Sequence, residues 1–263
     1  MKNLMLLGTS RLHRPFCKRD SIGNVFDNIR HDINVIFPRV GYFHAAPEIL
    51  QVLHWMKDSE VISPDLMKYV FRAEPRKTTP KNEFSVDLEN SIRKSLTHSL
   101  NIDLDSIECL IVEVSSLSFN RHLSSGIILH SNPNFEKNVA YKDIYPEGYY
   151  AKFESDMLVN RSTVSELDVV KDLVSLKRFV PNAKIIVMGH LVSEKYPNKV
   201  RNDIHNILVK ACKQSNCIYA NTAPFLDEYG FASVGETVDI HHLSHEGEVE
   251  FGKFLQELAF SNV

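Results

Sequence analysis

No CxxC pair and no zinc-ribbon spacing occurs in this 263-residue sequence, whose four cysteines stand apart as Cys17, Cys109, Cys212 and Cys217. A cysteine-built zinc site therefore has no support, and Cys109, set inside an apolar run, reads as a buried free thiol. The expected compartment is reducing. No stretch reaches the ~20 apolar residues of a membrane-spanning helix. The apolar opening from Met1 to Leu7 is too short for the core of a secretory signal, so the expectation is a cytoplasmic protein. A net charge of −3 gives no overall drive toward nucleic acid or an anionic membrane. A GxxxxGK loop and a convincing GxGxxG are also missing, which leaves nucleotide hydrolysis and dinucleotide redox chemistry unsupported. Repeats, low-complexity tracts and clear linkers are absent too, and residues 1–263 are expected to form one domain.

The apolar share, 43%, suffices for a sizeable core in a chain of this length. Five short, β-branched apolar runs have the character of strands buried on both faces: Asn3–Leu7, Asn34–Val40, Glu108–Val114, Lys184–Gly189 and Cys217–Ala220. Pro38 weakens the end of the second. Helical patterns lie between them. Pro47 opens one, Asp87 to Leu100 forms another, and Thr163-Val-Ser-Glu166 has the form of a capping box ahead of Leu167, Val170, Leu173 and Leu176. Pro197 opens a helix with Val200, Ile204, Ile207, Leu208 and Ala211 on one face, and Ser244 caps the last. Strands alternating with helices predict a flavodoxin-like three-layer α/β/α sandwich around a parallel sheet of about five strands. Residues 59–85 and 120–161 break the rhythm and read as insertions.

Two separated segments carry the candidate chemistry. The first strand ends in Leu7-Gly8-Thr9-Ser10, which places the Ser10 hydroxyl at the carboxyl end of the sheet, where ligands bind in such folds. Near the other end stands Asp239-Ile-His-His242-Leu-Ser-His-Glu-Gly247, read as a loop leading into a helix. A serine hydroxyl needs a base to take its proton, and a histidine base needs a group to hold its ring and tautomer. Asp239, three residues before His242, can reach its Nδ1–H. A helix start with incidental histidines is the plainer account of the same residues. A metal bound by Asp239, His241, His242 and His245 is another, since His241 and His245 share helical spacing; no second ligand pair accompanies them, and no metal is expected.

Together the two segments resemble the SGNH (GDSL-like) hydrolase family, whose nucleophile lies in a Gly-Asp-Ser block and whose Asp-x-x-His block precedes the last helix. Gly8-Thr9-Ser10 matches the first block with Thr9 in place of aspartate. Asp239 and His242 match the second, continued by Leu243, Ser244, Glu246 and Gly247. The resemblance implies Ser10 as nucleophile, His242 as general base and Asp239 as its partner. It further implies an oxyanion hole from the Ser10 N–H, Gly41 and a residue after the third strand. There the family's Gly-x-Asn-Asp gives way to Val114-Ser115-Ser116, so Ser116 is the candidate donor and Asn120 a substitute.

Arg11 and Arg14 follow the nucleophile, either as a solvated basic loop or as holders of an anionic substrate group. His44 packs beside Tyr42 and Phe43 or lines the pocket. Strand endings of this kind are similar to those of polysaccharide-associated members, which implies a carbohydrate ester as substrate. Ester hydrolysis through an acyl-enzyme on Ser10 needs no cofactor. Transfer of an acyl group to a polysaccharide would use the same residues with acetyl-CoA as donor, and a catalytically silent carbohydrate- or partner-binding domain is a third reading.

Overall fold

The structure is a computed structural model that describes residues 2–19, 25–28, 32–36, 43–57, 101–129 and 159–261. In chain order its strands are β1 (Lys2–Leu7), β2 (Cys17–Arg19), β3 (Val25–Asn28), β4 (Ile33–Ile36), β5 (Cys109–Glu113), β6 (Ser118–His122) and β7 (Ile128–Leu129). Then come β8 (Val159–Thr163), β9 (Lys184–Met188), β10 (Ile218–Ala220), β11 (Phe231–Val234) and β12 (Thr237–Leu243). The helices are α1 (Ser10–His13), α2 (Ala46–Lys57), α3 (Glu166–Leu176), α4 (Lys199–Ser215), α5 (Ala223–Tyr229) and α6 (His245–Phe260).

The central sheet runs β10-β9-β5-β1-β4, with every pair parallel. Each of its five strands comes from one of the five apolar runs. Their side chains split by the two-residue period of a strand. Met5 and Leu7 of β1, Leu110 and Val112 of β5, and Ile185 and Val187 of β9 enter one core with α2, α3 and α4. Leu4, Leu6, Cys109, Ile111, Ile186 and Met188 enter a second core with Leu12, Phe16, Leu226, Phe251 and Leu255. Helices thus cover both faces. Each such side chain, fully withdrawn from water, contributes roughly 1.5–3 kcal/mol before entropy is subtracted. The fold is α/β with a five-stranded parallel sheet in flavodoxin order.

That order matters for the site. Counting only sheet strands, it reverses between the first (β1) and the third (β5), so the crevice at their carboxyl ends is the switch point. Leu7 pairs with Val112, and the chain therefore leaves both strands at one level.

Several local boundaries differ from the sequence expectation. The second sheet strand is Ile33–Ile36, and residues 37–40 lie outside the described ones, as do the expected helix 87–100 and the segment 59–85. Of 120–161, the described residues belong to β6, β7, the turn between them and β8, and the three strands form an antiparallel sheet in the order β7-β6-β8. The capping box of α3 is not Thr163 with Glu166 but Ser165 with Asp168. Thr163 still pairs with Ser118 across β8, so its backbone belongs to the strand and the helix starts two residues later. Leu167 is consequently exposed, and Val169, Leu173 and Leu176 face the core. In α4 the cap is Asn198, whose side chain accepts the Arg201 N–H at 3.1 Å. Val200 sits exposed in the first turn, ahead of the buried Ile204, Leu208 and Ala211. Ser244 caps α6 as expected, accepting the Gly247 N–H at 3.2 Å.

Candidate active site

Ser10 opens α1, immediately after the turn that leaves β1, and Thr9 caps that short helix. Gly8 is required by proximity: a Cβ there would lie 2.6 Å from the Glu113 Cβ. Asp239 and His242 arrive on β12 of the β11–β12 hairpin, so this segment is strand rather than the loop the sequence suggested. The strand is irregular where it matters. Phe231 pairs with Leu243 while the next residue, Ala232, pairs with Asp239, so residues 240–242 bulge from the ladder. A bulge re-aims side chains, and here it lets two positions three apart converge. The Arg201 Nη1 donates to the Ile240 carbonyl at 3.2 Å, giving the bulge a partner from α4.

The result joins the two ends of the chain. The Ser10 hydroxyl lies 2.7 Å from His242 Nε2, and His242 Nδ1 lies 2.6 Å from Asp239 Oδ2. An ionised Asp239 can only accept, so Nδ1 carries the proton and Nε2 is left to accept from Ser10. Burial raises the Asp239 carboxyl, but hydrogen bonds from the His242 ring and the His241 N–H outweigh it, and the pKa falls below the ordinary value. Burial pushes the His242 imidazole down against the opposing Asp239 hydrogen bond, with Arg14 and Arg11 adding to the fall. At neutral pH His242 is therefore the free base.

On the other side of Ser10 lies a buried polar network that sequence reasoning missed. Glu113, the last residue of β5, is fully buried. Its Oε2 accepts the Thr9 N–H at 2.8 Å and the Thr9 hydroxyl at 2.6 Å; its Oε1 accepts Arg11 Nε at 2.6 Å and meets Arg11 Nη2 at 2.5 Å. Arg11 Nη2 also donates to Ser115 Oγ at 3.1 Å, and His44 Nδ1 lies 3.1 Å from the same oxygen. A carboxylate ending an otherwise apolar strand was the signal available in Leu110-Ile-Val-Glu113.

No family model matches the sequence, and no curated protein matches it. Among solved structures the chain is similar to a carbohydrate esterase family 2 enzyme with a carbohydrate binding domain from Corynascus thermopiles (Myceliophthora fergusii). Identity is 9% over 98% of this chain and 65% of that one, with a TM-score of 0.39. It is also similar to an acetyl xylan esterase from the rumen bacterium Butyrivibrio proteoclasticus, at 12% identity over 98% of this chain and 62% of that one, with a TM-score of 0.37. The chain spans less than two thirds of the length of either.

The other expected site residues fall in different places. Arg11 and Arg14 both face carboxylates of the protein itself, Glu113 and, at 3.2 Å, Glu248 of α6. His44 stands behind the site: its carbonyl accepts the N–H groups of Ser115 and Ser116, each at 2.8 Å. The Ser116 hydroxyl donates to the Ser118 carbonyl at 2.8 Å, so both donors of Ser116 are engaged away from Ser10. Asn120 lies on β6 opposite Leu129 and Arg161, and no hydrogen bond joins it to the Ser10 group among the described residues. Gly41 lies outside them. His190, two residues past β9, holds its ring 6.0 Å from that of His241. Burial, then the charges of Arg11 and Arg201, push the His190 pKa down to about 2 and keep it neutral. Among the described residues no group of three His, Cys, Asp or Glu side chains is placed to hold a metal ion, and no helix is long and apolar enough to cross a membrane.

Proposed function

We propose that this protein is a serine-dependent esterase of the SGNH type that removes an O-acyl group, typically acetyl, from a carbohydrate. One observation carries the reading: the continuous Ser10–His242–Asp239 hydrogen-bond chain, built from opposite ends of the sequence at a switch-point crevice. The sugar-ester part rests on the resemblance of the strand ending Val114-Ser115-Ser116 to those of polysaccharide-associated members.

The chemistry follows from the tautomer. Ser10 Oγ bonds to the acyl carbon as its proton passes to His242 Nε2, and the carbonyl electron pair moves onto oxygen. When that pair returns, the bond to the sugar oxygen breaks and His242 gives the leaving oxygen its proton. Water then attacks the acyl-enzyme, its proton goes to His242, and the collapse releases the acid while Ser10 regains its hydrogen. Asp239 stabilises the imidazolium formed at each transfer without itself taking the proton.

A fluorophosphonate serine probe tests the nucleophile, and acetate release from an O-acetylated oligosaccharide, with and without acetyl-CoA and a deacetylated acceptor, tests the substrate. The expected outcome is labelling of Ser10 and acetate release independent of acetyl-CoA. Acetyl transfer to the acceptor without hydrolysis would replace the esterase with a transferase. A wild-type protein that stays unlabelled from neutral to mildly alkaline pH would leave a silent binding domain.

A further inference from the structure

Attack on an ester places negative charge on the carbonyl oxygen, and the triad residues supply no donor for it beyond the Ser10 N–H that the resemblance implies. Building on the acyl-transfer reading of Ser10, we infer that the Ser115 hydroxyl is an oxyanion donor, with Arg11 and Glu113 as the positioning residues behind it.

Placement comes first. Strands β1 and β5 are hydrogen-bonded neighbours, about 4.8 Å apart, and Leu7 is level with Val112. Beyond the sheet, Thr9 touches Glu113 and Arg11 touches Ser115. Ser10 lies between Thr9 and Arg11 in the chain, so Ser115 is held against the same turn that carries the nucleophile.

Elimination comes second. The Val114 N–H donates to the Met188 carbonyl at 2.8 Å, and the N–H groups of Ser115 and Ser116 both donate to the His44 carbonyl. The Ser116 hydroxyl is held by Ser118. Of the polar hydrogens on residues 114–116, the Ser115 hydroxyl hydrogen remains in the tautomer that puts the His44 proton on Nδ1.

Electronics come third. Ser115 Oγ accepts from Arg11 Nη2 and, with the His44 proton on Nδ1, from His44 as well. A hydroxyl whose oxygen accepts two hydrogen bonds turns its hydrogen outward and donates more strongly through cooperative polarisation. Glu113 fixes the Arg11 guanidinium through Nε and Nη2, which leaves the fork one orientation. The site thereby replaces the asparagine amide of the resembled family with a serine hydroxyl backed by a guanidinium.

Turnover of p-nitrophenyl acetate and inhibition by an arylboronic acid, whose serine adduct is a tetrahedral anion, test this assignment. Ser115→Ala should lower kcat ~10²–10³-fold. KM should change by no more than about twofold, because the interaction forms only as charge develops. Boronate affinity should fall in parallel, and Ser115→Thr, which keeps the hydroxyl, should recover most of both. If the alanine variant does not fold, Ser115→Cys, near in size and a weak donor, is expected to show the same losses. A variant lacking the hydroxyl that retains wild-type kcat and boronate affinity would overturn the assignment, as would a loss confined to KM. Inert, unlabelled wild-type protein would instead remove the acyl-transfer reading itself.

Discussion

Two carboxylates flank Ser10, and they serve it in opposite ways. Asp239, on the bulged hairpin, has its side chain 28% exposed and holds one ring that must gain and lose a proton. Glu113, at the end of a central strand, is fully buried and saturated by an arginine, a hydroxyl and a backbone N–H. On the proposed reading the first side handles the proton and the second holds the nucleophile in place. A buried ion pair is costly to form and costlier to break, which suits a scaffold rather than a reacting group.

If this division holds, variants on the two sides should fail differently. The largest effect belongs to the nucleophile: Ser10→Ala should reduce esterase turnover by on the order of 10⁴–10⁶-fold and abolish probe labelling. Its melting temperature should stay near wild type, checked by circular dichroism. Next comes Asp239→Asn, which leaves the ring free to adopt the wrong tautomer and should cost on the order of 10²–10⁴ in kcat, again with little change in stability.

Glu113→Gln should invert that pattern. Removing the charge leaves Arg11 buried without its counter-ion and should cost about 3–5 kcal/mol of stability, read from urea unfolding. A Glu113→Gln protein as stable as wild type would dissolve the contrast between the two sides.

The smallest effect is in the pH profile. The depressed His242 pKa means that the acid limb of kcat/KM should lie below the ordinary imidazole value of about 6.5, with activity level above it. Asp239 raises that pKa, so Asp239→Asn should move the acid limb lower still, whereas Glu113→Gln should leave it in place.

Thr9 shows why part of the site could not be read from the chain. Beside the Gly-Asp-Ser of the resembled family it looks like a defect. Next to Glu113 it is the residue that fits, because its hydroxyl donates to the carboxylate at 2.6 Å and an aspartate there would set two negative charges together. Nothing near Thr9 in sequence announces Glu113. Their meeting depends on β1 and β5 being neighbours, which strand order alone decides. The capping box of α3 taught the same lesson on a smaller scale, since pairing of Thr163 with Ser118 displaced the helix start to Ser165.

Periodicity by itself outlined the five strands and four of the helices packed on them, while the resemblance to a known family marked the two short blocks holding Ser10, Asp239 and His242; α5 was not legible. Such patterns record burial, and burial on both faces of a parallel sheet leaves continuous apolar runs that local sequence displays. Tertiary structure alone decided that Glu113 and Ser115 meet Thr9 and Arg11, the neighbours of Ser10, that Ser116 is spent on its own turn, and that a bulge aims His242. These depend on which strands lie side by side and in what register, and contacts between residues a hundred positions apart leave no periodic trace in the chain.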